Sequence, residues 1–452
     1  MNICAGCGRE FEADSDAESL CPQCAAESLS INPVTETVPS RLRRLLESPT
    51  IVLIALNTLV YLMMALQGRN FFTFDGQLLQ NWGANSGALT SGGQWWRLLT
   101  SMFEHGNLLH IAMNMWCLYS LGWLAELLFG RSHFTLLYLM CGIGGSLGSI
   151  CWRGNGLSVG ASGAIFGIAG ALIPAMLLHG NRQLRTLLKG QLTSIALFVC
   201  YNLAFGAALR GTDNAAHIGG LLTGLVLGVC FPTGPDRQQQ RGRMRVAAGT
   251  VLMLLAFSGA GAFAQHRNQA YIELEQAADA QEHSDTNTAI VHAQRAAALK
   301  SEDVQAQFML GTLLLEAHRD AEAVAPLTST TRLRPKFGPA YVNLCIAQRE
   351  LKTLDDALAN CEQGARLSPT DAESWYNLGR VRYELHDLTG ACDALAKSVA
   401  LHPDGFDENL QYGLMLIANG EASKAVPYLQ RAHNLHPQNE DVAKLLTQTQ
   451  GK

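Results

Sequence analysis

Between residues 49 and 264 the chain carries seven apolar segments, at about 49–66, 107–125, 133–152, 162–178, 191–209, 215–231 and 246–264. Each approaches the roughly 20 residues that a helix needs to cross a bilayer. In hydrocarbon every backbone N–H and C=O must find its partner inside the protein, so these segments are expected to be helices gathered in one membrane bundle. Charged residues are 16% and hydrophobic residues 48% of the 452. That average conceals a split, because residues 265–452 read as a water-soluble helical protein. Two or more domains are therefore expected. A net charge of −5, with no concentrated basic face, argues against a nucleic-acid binder. The first 40 residues show no charged-then-apolar run, so no cleavable signal peptide is expected.

Basic residues give the bundle a direction. Arg41, Arg43 and Arg44 precede the first segment, and Arg131 follows the second. Arg182, Arg185 and Lys189 separate the fourth from the fifth, and Arg237, Arg241, Arg243 and Arg245 the sixth from the seventh. The opposite connections hold only Arg69 and Arg97, Arg153, and Arg210. The amino terminus is thus expected in the cytosol, and everything after the seventh segment outside it, in a cell (plasma or inner) membrane. The long outer connection, 67–99, carries Phe71, Phe72, Trp82, Trp95 and Trp96 and reads as an interfacial loop.

Four polar side chains then fall at one depth. Ser162 opens the fourth segment, His217 the sixth, and His110 and Asn114 lie in the first turns of the second; all three segments run from outside to inside. Ionisable groups at that depth are costly and mark function. A serine attacking a carbonyl needs a base for its proton, which His217 supplies. No Asp or Glu occurs in the fourth or sixth segment, so a dyad is expected, with Asp213 one turn before the histidine. The Ser162 N–H, at a helix start, has no intrahelical acceptor and can face a developing oxyanion. His110 and Asn114 are four apart and share a helix face from which both can donate. Gly160 and Gly163 allow close backbone approach beside the serine, and hydrolysis requires a water-filled cavity open to the outer face. Taken singly, the serine tract and the histidine also fit helix packing and interhelical hydrogen bonding; their agreement in depth favours a site. Gly220, Gly224 and Gly228 are read as a packing ladder towards the fourth segment. Glu126 is read as a structural anchor, and Cys117, Cys141, Cys151, Cys200 and Cys230 as small apolar residues.

Gly160-Ala161-Ser162-Gly163-Ala164-Ile165-Phe166-Gly167, Ala216-His217-Ile218-Gly219-Gly220 and the run from His105 through His110 to Asn114, with Trp96-Arg97, resemble the rhomboid family of intramembrane serine proteases over about residues 49–231. The resemblance implies an all-α fold, a six-helix core extended here by a seventh span. It implies a Ser162–His217 dyad that cleaves transmembrane protein substrates within the lipid bilayer. His110, Asn114 and the Ser162 backbone would form the oxyanion site, and catalysis would need no metal or organic cofactor. The rival reading is a catalytically inactive rhomboid-like scaffold that acts through its C-terminal repeats.

Two flanking regions complete the chain. Cys4-x-x-Cys7 and Cys21-x-x-Cys24 form paired knuckles suited to one structural zinc ion in a zinc-ribbon-like segment, 1–30. So short a segment takes its folding energy from the metal. At the other end Pro335, Pro369, Pro403 and Pro437 recur every 34 residues, in register with Ala323, Ala357, Ala391 and Ala425. This resembles the tetratricopeptide repeat, an α-solenoid of helix pairs with a groove for a peptide or protein partner. Cys345 and Cys361 could form a bond in an oxidising compartment, but both occupy small-residue packing positions and are read as buried thiols. The expected division is 1–30, a basic linker 31–48, the six-helix core 49–231, a basic linker 232–245, the seventh span 246–264, a degenerate repeat 265–303, and the repeats with their C-terminal cap, 304–452.

Overall fold

The computed structural model describes residues 2–3, 10–11, 47–154, 156–178, 182–208, 211–233 and 239–450. Cys4, Cys7, Cys21 and Cys24, with the zinc expectation they carry, lie outside the described residues. Asn2–Ile3 pairs antiparallel with Glu10–Phe11. The chain divides into two compact units, one of Met1–Ala84, Leu98–Ser149 and Ser158–Phe257, the other of Asn85–Arg97, Ile150–Leu157 and Ser258–Lys452.

In chain order the first helices are α1 (Pro49–Gly68), three short ones, α2 (Gly76–Trp82), α3 (Gly87–Ser91) and α4 (Arg97–Thr100), then α5 (Leu108–Phe129) and α6 (Arg131–Trp152). Next come α7 (Ser162–Leu177), α8 (Arg182–Ala208), α9 (Asn214–Cys230) and α10 (Gln240–Arg267). All seven apolar segments are helical. Among the described residues five helices are long and apolar enough to cross a membrane, whereas α7 and α9, which carry Ser162 and His217, stop at 16 and 17 residues. Of the two, α7 is the interior helix, whereas α9 turns Ile218, Leu222 and Val229 outwards. From Gly163 to Met176 almost every residue of α7 is buried, while α1 and α5 expose Leu59, Leu66, Leu109, Trp116 and Leu127. A large apolar surface turned outwards is the signature of a lipid-facing wall.

Local chemistry fixes the helix ends. Glu126, near the end of α5, accepts from Ser48 Oγ and from the Thr50 N–H, both at 2.7 Å, and so closes the start of α1 as the expected anchor. Asn107 caps α5 by accepting from the His110 N–H at 2.8 Å. The outer connection is clasped to this point, since the Phe74 N–H donates to Gly106 O and the Leu108 N–H to Phe72 O.

The centre of the first unit is built of backbone rather than side chains. A β-carbon on Gly220, Gly224 or Gly228 would collide with the carbonyl oxygen of Gly163, Gly167 or Ala171 respectively. Helix α6 joins the same junction: a β-carbon on Gly145 would lie 2.9 Å from Ala216 O, and one on Gly148 would lie 3.0 Å from Gly219 Cα. Small residues permit this approach, and close packing drives helix association in lipid. The α9 ladder meets the fourth segment as expected; the contribution of α6 is a finding of the tertiary structure. Helix α10 starts beside the end of α9, where the Arg245 guanidinium donates to Val229 O. Farther along, its Phe257 lies beside Gly144 of α6. Helices α6 and α10 run in the same direction.

In the second unit the last turns of α10 meet Ile150–Leu157 and Asn85–Arg97. Cys151 Sγ donates to Ala260 O at 3.4 Å and Arg267 to Trp152 O at 3.2 Å. Asn268, fully buried, donates to Ser91 Oγ at 3.2 Å and Ile150 O at 3.1 Å. On this footing stand five helix pairs: α11 (Gln269–Glu282) with α12 (Thr286–Leu299), α13 (Val304–Glu316) with α14 (Asp320–Leu333), α15 (Gly338–Glu350) with α16 (Leu354–Leu367), α17 (Ala372–Glu384) with α18 (Leu388–Leu401), and α19 (Phe406–Ala418) with α20 (Ala422–Leu435). A final helix, α21 (Glu440–Gln450), follows. The turn inside each pair places one residue at positive φ, namely Ser284, His318, Lys352, His386 and Gly420, and these positions also recur every 34 residues. The pair at 269–299, degenerate in sequence, obeys the same geometry as the rest. Each second helix of the last four pairs stops two residues before its proline, which cannot continue it. Ala289, Ala323, Ala357, Ala391 and Ala425 are all fully buried.

One expectation is corrected. Cys345 and Cys361 are buried as read, but they are not thiols: a disulfide joins them across α15 and α16, with the α-carbons 5.3 Å apart. Residues 16 apart meet here because the hairpin turn folds the second helix directly onto the first.

The glycine junction makes a prediction. Gly224→Val should destabilise the folded chain by about 2–3 kcal/mol or more. Gly259→Ala, with nothing within 4 Å of the added methyl, should leave stability unchanged or slightly raised. Thermal unfolding of the full chain in detergent, followed by tryptophan fluorescence, separates the two.

Candidate active site

Ser162 is presented by a turn into α7 that glycine makes possible. Gly160 holds φ at +122°, a conformation that side chains disfavour, and its N–H donates to Ser101 O at 2.8 Å. Ala161 is buried, and Ser162 is the first residue of the helix. Its hydroxyl therefore stands at the positive end of the helix dipole, beside N–H groups that no intrahelical carbonyl engages.

His217 lies in the first turn of α9. Asp213 caps that helix by accepting from the Ala216 N–H at 3.1 Å, while its second oxygen accepts from Ser149 Oγ of α6 at 2.5 Å. These two bonds tie the start of α9 to a neighbouring helix. His217 Nε2 then stands 3.0 Å from Ser162 Oγ. The imidazole stacks on Phe166, one turn along α7, with ring centroids 4.2 Å apart and planes 4° from parallel. Nδ1 is buried and has no hydrogen-bond partner among the described residues. The ring is thus oriented by an aromatic face, and the carboxylate nearest in sequence is engaged in capping. For Nε2 to take the serine proton, the neutral ring must carry its own hydrogen on Nδ1.

His110 and Asn114 of α5 face the same point. A β-carbon on Gly160 would lie 2.7 Å from His110 Cε1, 2.8 Å from His110 Nε2 and 3.7 Å from Asn114 Nδ2. Glycine leaves open the space that these donors border. The four side chains picked out at one depth are thus brought together from α5, α7 and α9. His105, fully buried, sets its ring edge-on to His110 with centroids 5.0 Å apart.

An apolar cavity of about 250 Å³ opens between α5 and α8, lined by Trp116, Cys117, Ser120, Gln191, Ser194 and Phe198 among others. The Phe198 ring meets Phe166 at 5.5 Å, so two rings connect the cavity to the imidazole. Phe166, Phe198 and the Ser149–Asp213 bond carry no role in the sequence reading. Phe166 was within reach, being four residues from Ser162 on one helix face. The Ser149–Asp213 bond spans 64 residues and leaves no local signal. Among the described residues no group of three or more His, Cys, Asp or Glu converges as metal ligands would. A hydroxyl with a base at hydrogen-bonding distance, beside a helix N-terminus and two further donors, is equipped for acyl transfer through a covalent intermediate.

Comparison with known proteins agrees with this chemistry. Residues 92–233 match the family model described as the Rhomboid domain. The chain is 39% identical over 175 residues to Rhomboid protease GluP of Bacillus subtilis (strain 168), a match covering 39% of this chain and 33% of that protein. It is 31% identical over 209 residues to Rhomboid protease AarA of Providencia stuartii, covering 42% of this chain and 74% of that one. The chain spans only a third of GluP's length. Among solved structures, a thermophilic TPR protein of Thermus thermophilus is similar at 17% identity with a TM-score of 0.33, covering 40% of this chain and all of that one.

Gly160→Ala should cut labelling of Ser162 by a fluorophosphonate probe by at least about tenfold, because the methyl would fall 2.7 Å from His110 and fill the space that His110 and Asn114 border beside the serine. Labelling at the wild-type rate in a normally folded variant would show that His110 and Asn114 do not border the reacting oxygen.

Proposed function

This chain belongs to the rhomboid family, and on that premise we propose that it is an intramembrane serine endopeptidase hydrolysing peptide bonds in or near transmembrane segments of other membrane proteins. The observation that carries the reading is the 3.0 Å contact between Ser162 Oγ and His217 Nε2, made between α7 and α9 within an apolar bundle. A substrate segment approaches through the cavity between α5 and α8 and presents an extended stretch to the start of α7. Ser162 Oγ attacks the carbonyl carbon while His217 Nε2 takes its proton. The oxyanion is held by the Ser162 N–H, His110 and Asn114. The imidazolium, resting on the Phe166 face, gives the proton to the departing amine, and water then repeats the sequence in reverse on the acyl-enzyme.

The repeats act as a module that holds a substrate or a protein partner in their groove, separate from the core at 49–231. The shared direction of α6 and α10 supports a seventh helix that crosses the bilayer. With the amino terminus in the cytosol, 265–452 then lies outside it, on the same side as loop 85–97, in a plasma or inner membrane. For the N-terminal segment the proposal is one structural zinc on Cys4, Cys7, Cys21 and Cys24, remote from a reaction that uses no cofactor. Metal analysis of the purified chain should find about one zinc per molecule, lost in Cys21→Ser.

Ser162→Ala and His217→Ala should each lower cleavage of a transmembrane substrate in detergent micelles by more than about a thousandfold. Cleavage near the wild-type rate by both variants overturns the mechanism. Absence of both cleavage and fluorophosphonate labelling in the wild-type chain would favour a scaffold acting through its repeats.

A further inference from the structure

The repeat array contains its own control for the Cys345–Cys361 pair. The eighth residue of one helix pair's first helix faces a residue sixteen further on in its second helix. In three of the pairs these positions are Gly311 and Leu327, Gly379 and Leu395, and Gly413 and Leu429. In each, a β-carbon on the glycine would fall 2.5–2.7 Å from the leucine, so glycine is what admits that leucine to the core. In the first pair, 269–299, the positions 34 residues before Gly311 and Leu327 are Ala277 and Ala293, two small residues that pack without conflict. Only at Cys345 and Cys361 are both positions cysteine. Replacing either partner alone would leave a glycine facing a short side chain, or a leucine facing a β-carbon where there is no room. The two cysteines belong together, and their α-carbon separation of 5.3 Å suits a disulfide. Both residues are fully buried, in the cluster that also holds Ala357, Ala365 and Leu378, so oxidant must reach them before the hairpin closes over them.

We infer that Cys345 and Cys361 form a structural disulfide introduced while the repeat unit folds, and that this unit therefore matures in a thiol-oxidising compartment outside the cytosol. The two thiols pass two electrons and two protons to a protein disulfide of an exported thiol oxidase. The Cys345–Cys361 sulfur–sulfur bond forms as the oxidase bond breaks, and the oxidase leaves as a dithiol. Cytosolic thiols are kept reduced, so the bond and the compartment stand together. The inference rests on the topology proposed above and is independent of the protease reading; it holds whether or not Ser162 reacts.

The test uses the full chain made in its membrane. Cells are quenched in acid, the protein is denatured with N-ethylmaleimide present, and tryptic peptides are read by mass spectrometry without reduction. Residues 337–349 and 353–366 are expected as one linked species that separates on reduction, while Cys392 carries maleimide. A glycosylation or thiol-accessibility tag at residue 452 should report the outer side. Recovery of both peptides as maleimide adducts with the tag outside overturns the disulfide and leaves the topology standing. A cytosolic tag overturns the compartment and the topology, whichever form the two peptides take. Cys345→Gly with Cys361→Leu, which restores the arrangement of the neighbouring pairs, should accumulate to within about twofold of wild type, and Cys361→Ser alone should fall well below it. A double variant as depleted as the single one would overturn the pairing.

Discussion

The site depends on two helices touching backbone to backbone. Helices that meet through ordinary side chains stand about 8–10 Å apart between axes, and α7 and α9 come closer than any side chain between them would allow. Their glycines do this, Gly220 against Gly163 and Gly224 against Gly167. A serine side chain is among the shortest that carry a nucleophile. It reaches the imidazole of His217 because the helices beneath have nothing between them. In lipid no hydrophobic effect pulls helices together, so the association rests on this close contact.

The same contact explains how an imidazole is held without a carboxylate behind it. Once α7 and α9 are locked, Phe166 lies flat against His217 and fixes the plane of the ring. Asp213, the nearest acid in sequence, fixes the start of α9 by capping it and by accepting from Ser149. Orientation thus comes from apolar stacking and helix anchoring, which cost less in hydrocarbon than a buried ion pair. The cavity between α5 and α8 reaches this ring through Phe198 and Phe166, so apolar groups border both the proposed route of approach and the proposed base.

The second unit shows a different economy of means. Its repeats are held by alanines and glycines that admit one helix to its neighbour, and one helix pair substitutes a covalent bond for that fit. At its base a single buried amide, Asn268, joins the end of α10 to Ser91 and to Ile150 O. Segments far apart in sequence, 85–97, 150–157 and 258–268, become one footing through a few backbone and side-chain bonds. The proposed topology and the proposed zinc site together would place cysteines in two redox settings, thiolates for a metal on one side of the membrane and a disulfide on the other.

Much was legible in the residues alone because it is written in period and composition. Apolar run length marked the seven helices, and the 34-residue recurrence of proline and alanine marked the repeats. The meeting of Ser162, His217, His110 and Asn114 followed from the direction of three segments. Asn107 and Asp213 cap α5 and α9, a local signal that the sequence reading left unused. Partners with no sequence relation were not readable. Glycines of α6 press on α9, Ser149 holds Asp213, Phe166 carries the imidazole, and Asn268 ties three segments together, all by contacts that local pattern does not encode. The Cys345–Cys361 bond stood between these cases, since spacing allowed it and only the facing of two helices decided it. Sequence determines which faces are apolar and where backbones may approach, because those are properties of single residues. Which surfaces then touch is a property of the whole packing, decided where close contact and hydrogen-bond satisfaction are met together.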